Sequence, residues 1–144
     1  MTNRTPPAKG QKEMLELLQE TQRQTGFISQ ESMTKIAETL KISKSDVYGV
    51  ATFYSFLSVK PQGRNVIRVC QSLPCHMRNG QAIIDAIAKE LGVKPGQTTA
   101  DKKFTFTITN CIGACDNAPA MLVNDDIHRD LTPAKVSQIL KTYK

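Results

Sequence analysis

The 144-residue sequence predicts an α/β chain in two parts: an N-terminal three-helix bundle over residues 11–60, then a βαββα unit over residues 64–144. Three observations carry this expectation. Before Pro61, apolar residues recur at helical spacing. Pro61-Gln62-Gly63 combines the two strongest turn formers and marks a boundary. Beyond it, short β-branched runs alternate with helical patterns.

Taken in order, residues 1–10 are polar, carry Pro6-Pro7 and show no periodicity, so they read as a flexible tail. From Gln11 to about Gln22, Met14, Leu15, Leu17 and Leu18 face Lys12, Glu13, Glu16 and Glu20, an amphipathic helix stopped by Gly26. Ser29 is the expected N-cap of a second helix ending near Leu40, with Met33, Ile36, Ala37 and Leu40 on one buried face. Ser43 and Asp46 have capping-box spacing for a third helix, and Ile42 with Val47 have the spacing of a hydrophobic staple. Its inner face runs Val47, Val50, Ala51, Tyr54. Phe53 and Phe56 widen it, which predicts packing on two sides.

After the turn, Asn65–Val69 is a β-branched strand that delivers Cys70 at its end. Asn79 is the expected cap of a helix bearing Ile83, Ile87 and Leu91 and stopped by Gly92. Phe104, Phe106 and Ile108 alternate with threonines, a half-buried strand leading into the second cysteine pair. Residues 120–123, an Asn124-Asp125-Asp126 turn and a short segment around Ile127–Arg129 make a hairpin, and Thr132-Pro133 opens a last helix carrying Val136, Ile139 and Leu140. Strand-helix-strand favours a parallel central pair, and the closing hairpin adds an antiparallel edge. Both cysteine pairs then stand at strand ends.

Composition narrows the function. Net charge is +6, but the basic residues are scattered from Arg4 to Lys144 with Lys102-Lys103 their only adjacent pair. With no basic run and no aromatic stripe, nucleic-acid binding is not expected. No secretory leader and no apolar run of membrane-spanning length is visible, so the expected home is cytoplasmic, without membrane insertion. In that reducing setting cysteines serve as ligands more often than as disulfides.

Only four cysteines occur, as Cys70-x4-Cys75 and, after a gap of 35 residues, Cys111-x3-Cys115. Four soft thiolates in two short loops match the demand of one 2Fe–2S cluster, with Cys70, Cys75, Cys111 and Cys115 as ligands. Structural zinc more often shows C-x2-C in at least one pair. A zinc-stabilised interaction module remains the binding-module alternative, and a thiol–disulfide enzyme a third reading. Gly113 and Pro74 either shape the two loops around the metal or are plain turn residues. His76 and His128 read as surface histidines, His76 having the further option of tuning the centre. Arg68 and Arg78 either offset cluster charge or are simply solvated. No G-x-G-x-x-G, Walker or G-x-S-x-G motif is present among the eight glycines. A one-electron centre with no hydride-handling site needs another polypeptide to supply its electrons, so the expected role is an electron-transfer subunit without a complete active site.

The sequence resembles the thioredoxin-like 2Fe–2S subunit family of NADH-oxidising complexes. These are the small subunit in the flavoprotein arm of respiratory complex I and the equivalent subunits of NAD(P)-linked, electron-bifurcating iron-only hydrogenases and NAD-dependent formate dehydrogenases. The likeness covers about residues 11–144 and includes Val47-Tyr-Gly-Val-Ala-Thr-Phe-Tyr-Ser-Phe56, the C-x4-C pair, Cys111-Ile-Gly-Ala-Cys-Asp-Asn-Ala-Pro119 and Leu131-Thr-Pro133. It implies a thioredoxin-like ferredoxin fold after the helical bundle and one 2Fe–2S cluster on the four cysteines. It also implies partners: a flavoprotein subunit binding FMN and NAD(P)H, and further iron–sulfur subunits, with the helical region as docking domain. Ile112 replaces the usual leucine, and Asn79 stands where glycine often follows the basic residue. The compact length points slightly to a hydrogenase-type parent.

Overall fold

The computed structural model describes residues 9–143. Residues 1–8 of the expected tail lie outside the described residues, while Lys9 and Gly10 belong to the first helix. The chain divides into two compact units, Met1–Pro61 and Gln62–Lys144.

The first unit holds α1 (Lys9–Thr25), α2 (Gln30–Leu40) and α3 (Lys44–Phe53). Their inward stripes meet in one core of Met14, Leu18, Ile28, Met33, Ile36, Ala37, Val47 and Ala51. The caps are local. Ser29 Oγ accepts the Ser32 N–H at 3.1 Å and opens α2. Ser43 Oγ accepts the Asp46 N–H at 3.1 Å and opens α3. The capping box is only half made. The Asp46 carboxylate accepts a hydrogen bond from the Ser43 hydroxyl at 2.7 Å instead of reaching back to the Ser43 amide, the shorter Asp replacing the usual Glu. Nor does α3 pack as widely as its apolar residues suggest. Val47 and Ala51 are buried, but Tyr48, Phe53, Tyr54 and Phe56 are exposed, Phe53 by 80%.

The second unit is a five-stranded sheet in the order β2-β3-β1-β4-β5. Its strands are β1 (Asn65–Cys70), β2 (Gln97–Thr98), β3 (Phe104–Thr109), β4 (Met121–Val123) and β5 (Asp126–His128). Three helices accompany them: α4 (Leu73–Met77), α5 (Gly80–Leu91) and α6 (Pro133–Thr142). Thr132 caps α6 through the Lys135 N–H, with Pro133 in its first turn. Ile67 and Val69, Phe104 and Phe106, and Met121 and Val123 turn to one sheet face. There they pack with Ile83, Ile84 and Ile87 of α5 and Val136 and Leu140 of α6. β1 and β3 run parallel, as the strand-helix-strand order requires, and β4 and β5 add the antiparallel hairpin. Among the strands and α-helices, two have no counterpart in the sequence reading. β2 is only two residues long and pairs antiparallel with β3, too short for any periodicity. α4 is a five-residue helix inside the loop that carries Cys75.

Candidate metal centre

The parallel register of β1 and β3 brings the two cysteine pairs together. Cys70, the last residue of β1, lies opposite Thr109, the last of β3, and Cys111 follows two residues later. The Gln71 N–H bonds the Thr109 carbonyl at 3.0 Å, so the chain beyond both strands is tied at the same level. The antiparallel strand on the other side supplies a third segment: the Cys70 N–H donates to the Ala120 carbonyl at 3.3 Å. Cys70, Cys75 and Ala118 form a small apolar cluster of their own, with Ile112 packed against it.

Each sulfur sits differently. Cys70 and Cys75 are 2% and 1% exposed, whereas Cys111 is exposed and Cys115 half-buried. All four are free thiols. The Cys111 and Cys115 sulfurs are 3.0 Å apart, and the Gly113 N–H points at Cys111 Sγ from 3.4 Å. Gly113 has φ +80°, the left-handed region that a Cβ disfavours, and there is open space where that Cβ would go. The hydrogen bond from Cys115, then that from Gly113, holds the Cys111 thiol below its ordinary value. The same hydrogen bond, with Cys111, pushes Cys115 up to about 11. In the other pair burial raises Cys75, a shift opposed by the Ala120 N–H donating to its sulfur. Cys70 acts on the titration of both Cys75 and Cys111, so the two pairs are electrostatically linked.

Among the described residues, no three His, Cys, Asp or Glu side chains are grouped so as to hold a metal ion. A single zinc ion needs its donors around one point. A 2Fe–2S cluster asks instead for two sulfurs on each of two irons. Two pairs of free thiols at one end of the sheet suit the second demand in donor type and number.

The remaining candidates separate. His76, within α4, and Arg78, just after it, are both exposed. His128 is engaged by Tyr143, its Nε2 lying 3.1 Å from the hydroxyl. Arg68 is only 7% exposed. It shares the strand face of Cys70, and burial lowers its pKa against the raising effect of Asp125. Pro74 lies in the first turn of α4, where a missing N–H costs nothing, and so serves a helix instead of a turn. The sequence reading missed the Ala120 amide.

A sheet with helices on one face and paired cysteines at the shared end of its parallel strands defines the class: this chain belongs to the thioredoxin-like 2Fe-2S ferredoxin family, which it matches over residues 1–144. Among curated relatives it is 45% identical over 130 residues to the E-subunit of NADH-quinone oxidoreductase from Escherichia coli (strain K12), covering 90% of this chain and 78% of that one. The counterpart from Pseudomonas aeruginosa is 43% identical over 129 residues, with the same coverage. Among solved structures, the air-oxidised NAD+-reducing NiFe hydrogenase matches with a TM-score of 0.78 at 22% identity, over 88% of this chain. That is a likeness of fold, and this chain spans 22% of the hydrogenase chain. No described helix is long and apolar enough to cross a membrane.

Proposed function

We propose that this chain is the 2Fe–2S electron-transfer subunit of a multisubunit NADH-oxidising complex, with Cys70, Cys75, Cys111 and Cys115 as the cluster ligands. The observation that carries the reading is the parallel β1–β3 register, which delivers both cysteine pairs to one end of the sheet. When bound, a 2Fe–2S cluster supplies a one-electron redox step. This chain's part is to hold and insulate. Cys70 and Cys75 offer buried sulfurs, the Gly113 and Ala120 amides donate toward one sulfur of each pair, and Cys111 stands at the surface. Such amide donors and the depth of burial set the potential of an iron–sulfur centre.

FMN and NAD(H) belong in this reading to a partner flavoprotein, with further iron–sulfur subunits alongside, in the cytoplasm. The exposed Tyr48, Phe53, Tyr54 and Phe56 of the helical unit supply an aromatic surface for docking, aromatic residues being enriched at interfaces. On that view residues 11–60 are a docking domain and residues 64–144 the cluster domain. The 45% identity to quinone-linked relatives favours a parent of that kind. The hydrogenase-type parent suggested by the compact length has beside it only a likeness of fold, and that to a NiFe hydrogenase and not to the iron-only kind.

Serine replacements test the ligand set. Cys111→Ser in the anaerobically purified chain reshapes or bleaches the cluster's visible spectrum, and an unchanged spectrum removes Cys111 from the set. Co-purification from the native host tests the parent, with a flavoprotein as the expected companion.

A further inference from the structure

The turn between α4 and α5 brings backbone against backbone directly behind Cys75. α4 ends with the Arg78 N–H on the Pro74 carbonyl at 3.2 Å. Asn79 then takes the left-handed conformation, φ 68°, with no side-chain hydrogen bond to the helix it precedes. Asn79 is therefore less a cap for α5 than the residue that closes α4, and asparagine is among the few that enter that region readily. The reversal lays buried Gly80 against Cys75. A Cβ on Gly80 would stand 2.6 Å from the Cys75 carbonyl oxygen and 2.9 Å from its carbonyl carbon. Both are backbone atoms, so no rotamer change relieves the clash.

Which side yields is decided by anchoring. α5 is pinned through Ile83, Ile84 and Ile87 in the main core. α4 has five residues, and its Leu73 and Met77 are 69% and 77% exposed. The movable part is α4, and Cys75 travels with it. Taking the contact from 2.6 Å to the 3.4 Å of ordinary packing is a displacement of about 0.8 Å. A functional constellation tolerates about 0.5 Å.

We infer that Gly80 is a positioning residue for Cys75: its bare Cα lets the first turn of α5 lie against the Cys75 carbonyl, and that contact sets where the Cys75 sulfur stands relative to Cys70 and the Ala120 amide. The inference rests on the reading of Cys75 as a cluster ligand, and its test has an arm that needs no metal.

The experiment compares full-length wild type, Gly80→Ala and Val136→Ala, the last removing core volume from α6 away from the sulfurs. In the metal-free chain the alkylation rate of Cys75 is followed by peptide mass spectrometry. In the iron-loaded chain the EPR signature and midpoint potential are recorded. Gly80→Ala is expected to speed alkylation of the buried Cys75 at least tenfold. It should also shift the reduction equilibrium about tenfold, about 59 mV for one electron, while Val136→Ala lowers the melting temperature and moves neither. Wild-type values for Gly80→Ala in both readouts, or equal changes in both variants, overturn the inference. If Gly80→Ala does not fold, Asn79→Val and Asn79→Gly replace it. Valine strains the left-handed turn and should expose Cys75, glycine should not, and equal alkylation in the two overturns the inference. A wild type that takes up no iron would sink the cluster reading while leaving the alkylation arm to be decided on its own.

Discussion

The two cysteine pairs reach the same end of the sheet on different kinds of backbone. Cys70 closes a strand and Cys75 sits in a short helix, both enclosed by strand, helix and the Ala118–Ala120 segment. Cys111 and Cys115 hang on an open loop whose shape depends on one left-handed glycine and a 3-10 turn, Cys115–Asn117. In one pair the protein supplies a packed pocket. In the other it supplies little beyond a backbone bend and an amide. Donors of the same type are thus held tightly on one side and lightly on the other, and substitutions should show it.

The largest contrast is expected between Cys75→Ala and Cys111→Ala in the metal-free chain. The buried site loses packing and leaves a cavity, a change that costs about 1–3 kcal/mol. The exposed site should stay within about 0.5 kcal/mol of wild type. Chemical denaturation reads both, and equal losses would erase the distinction. Next in size is Gly113→Ala. There is room for the methyl, so the cost is the left-handed conformation alone, about 1–2 kcal/mol, with retention of a reactive, displaced Cys111.

The thiols should also differ in how they titrate in the metal-free chain. Cys111, held down by its hydrogen bonds with Cys115 and Gly113, becomes thiolate before Cys115 and Cys75. Cys115, pushed up to about 11, is still thiol at mildly alkaline pH. Iodoacetamide added as pH rises should therefore label Cys111 before Cys115 and Cys75, and labelling in the reverse order would contradict the geometry of the open pair. The smallest effect lies away from both pairs. Burial first, then the 2.7 Å hydrogen bond to Asp126, raises the Tyr143 pKa. A folded value above the unfolded value, near 10, means that its stabilisation is full below about pH 10 and fades as pH rises through the folded value. Ultraviolet titration of wild type against Tyr143→Phe checks this.

The same contrast explains what the sequence made legible. Long periodic segments announced themselves, because Met33, Ile36, Ala37 and Leu40, or Ile83 and Ile87, recur at the helical period whatever they pack against. The convergence of the cysteine loops was readable too, since a helix between two β-branched runs implies a parallel pair with ends at one level. The tight side of the site was not. α4 carries only Leu73, Pro74, Cys75, His76 and Met77, too few residues for a pattern, and its closure depends on the φ of Asn79. Gly80 has no room for a Cβ, which would stand 2.6 Å from the Cys75 carbonyl, and that crowding arises only after the chain has reversed. Tyr54 and Phe56 failed differently. Periodicity registers that a residue is apolar and on a given face, but not whether the same chain supplies anything to cover it, and 43% and 47% of their surface remains open.

The account turns on whether these four thiols hold a two-iron centre. Iron and acid-labile sulfide, measured per chain on anaerobically purified protein together with low-temperature EPR after reduction, tests this most directly. The expected result is two irons and two sulfides per chain with a spin-half signal on one-electron reduction. Zinc without sulfide, or a chain that takes up no iron under those conditions, would contradict it.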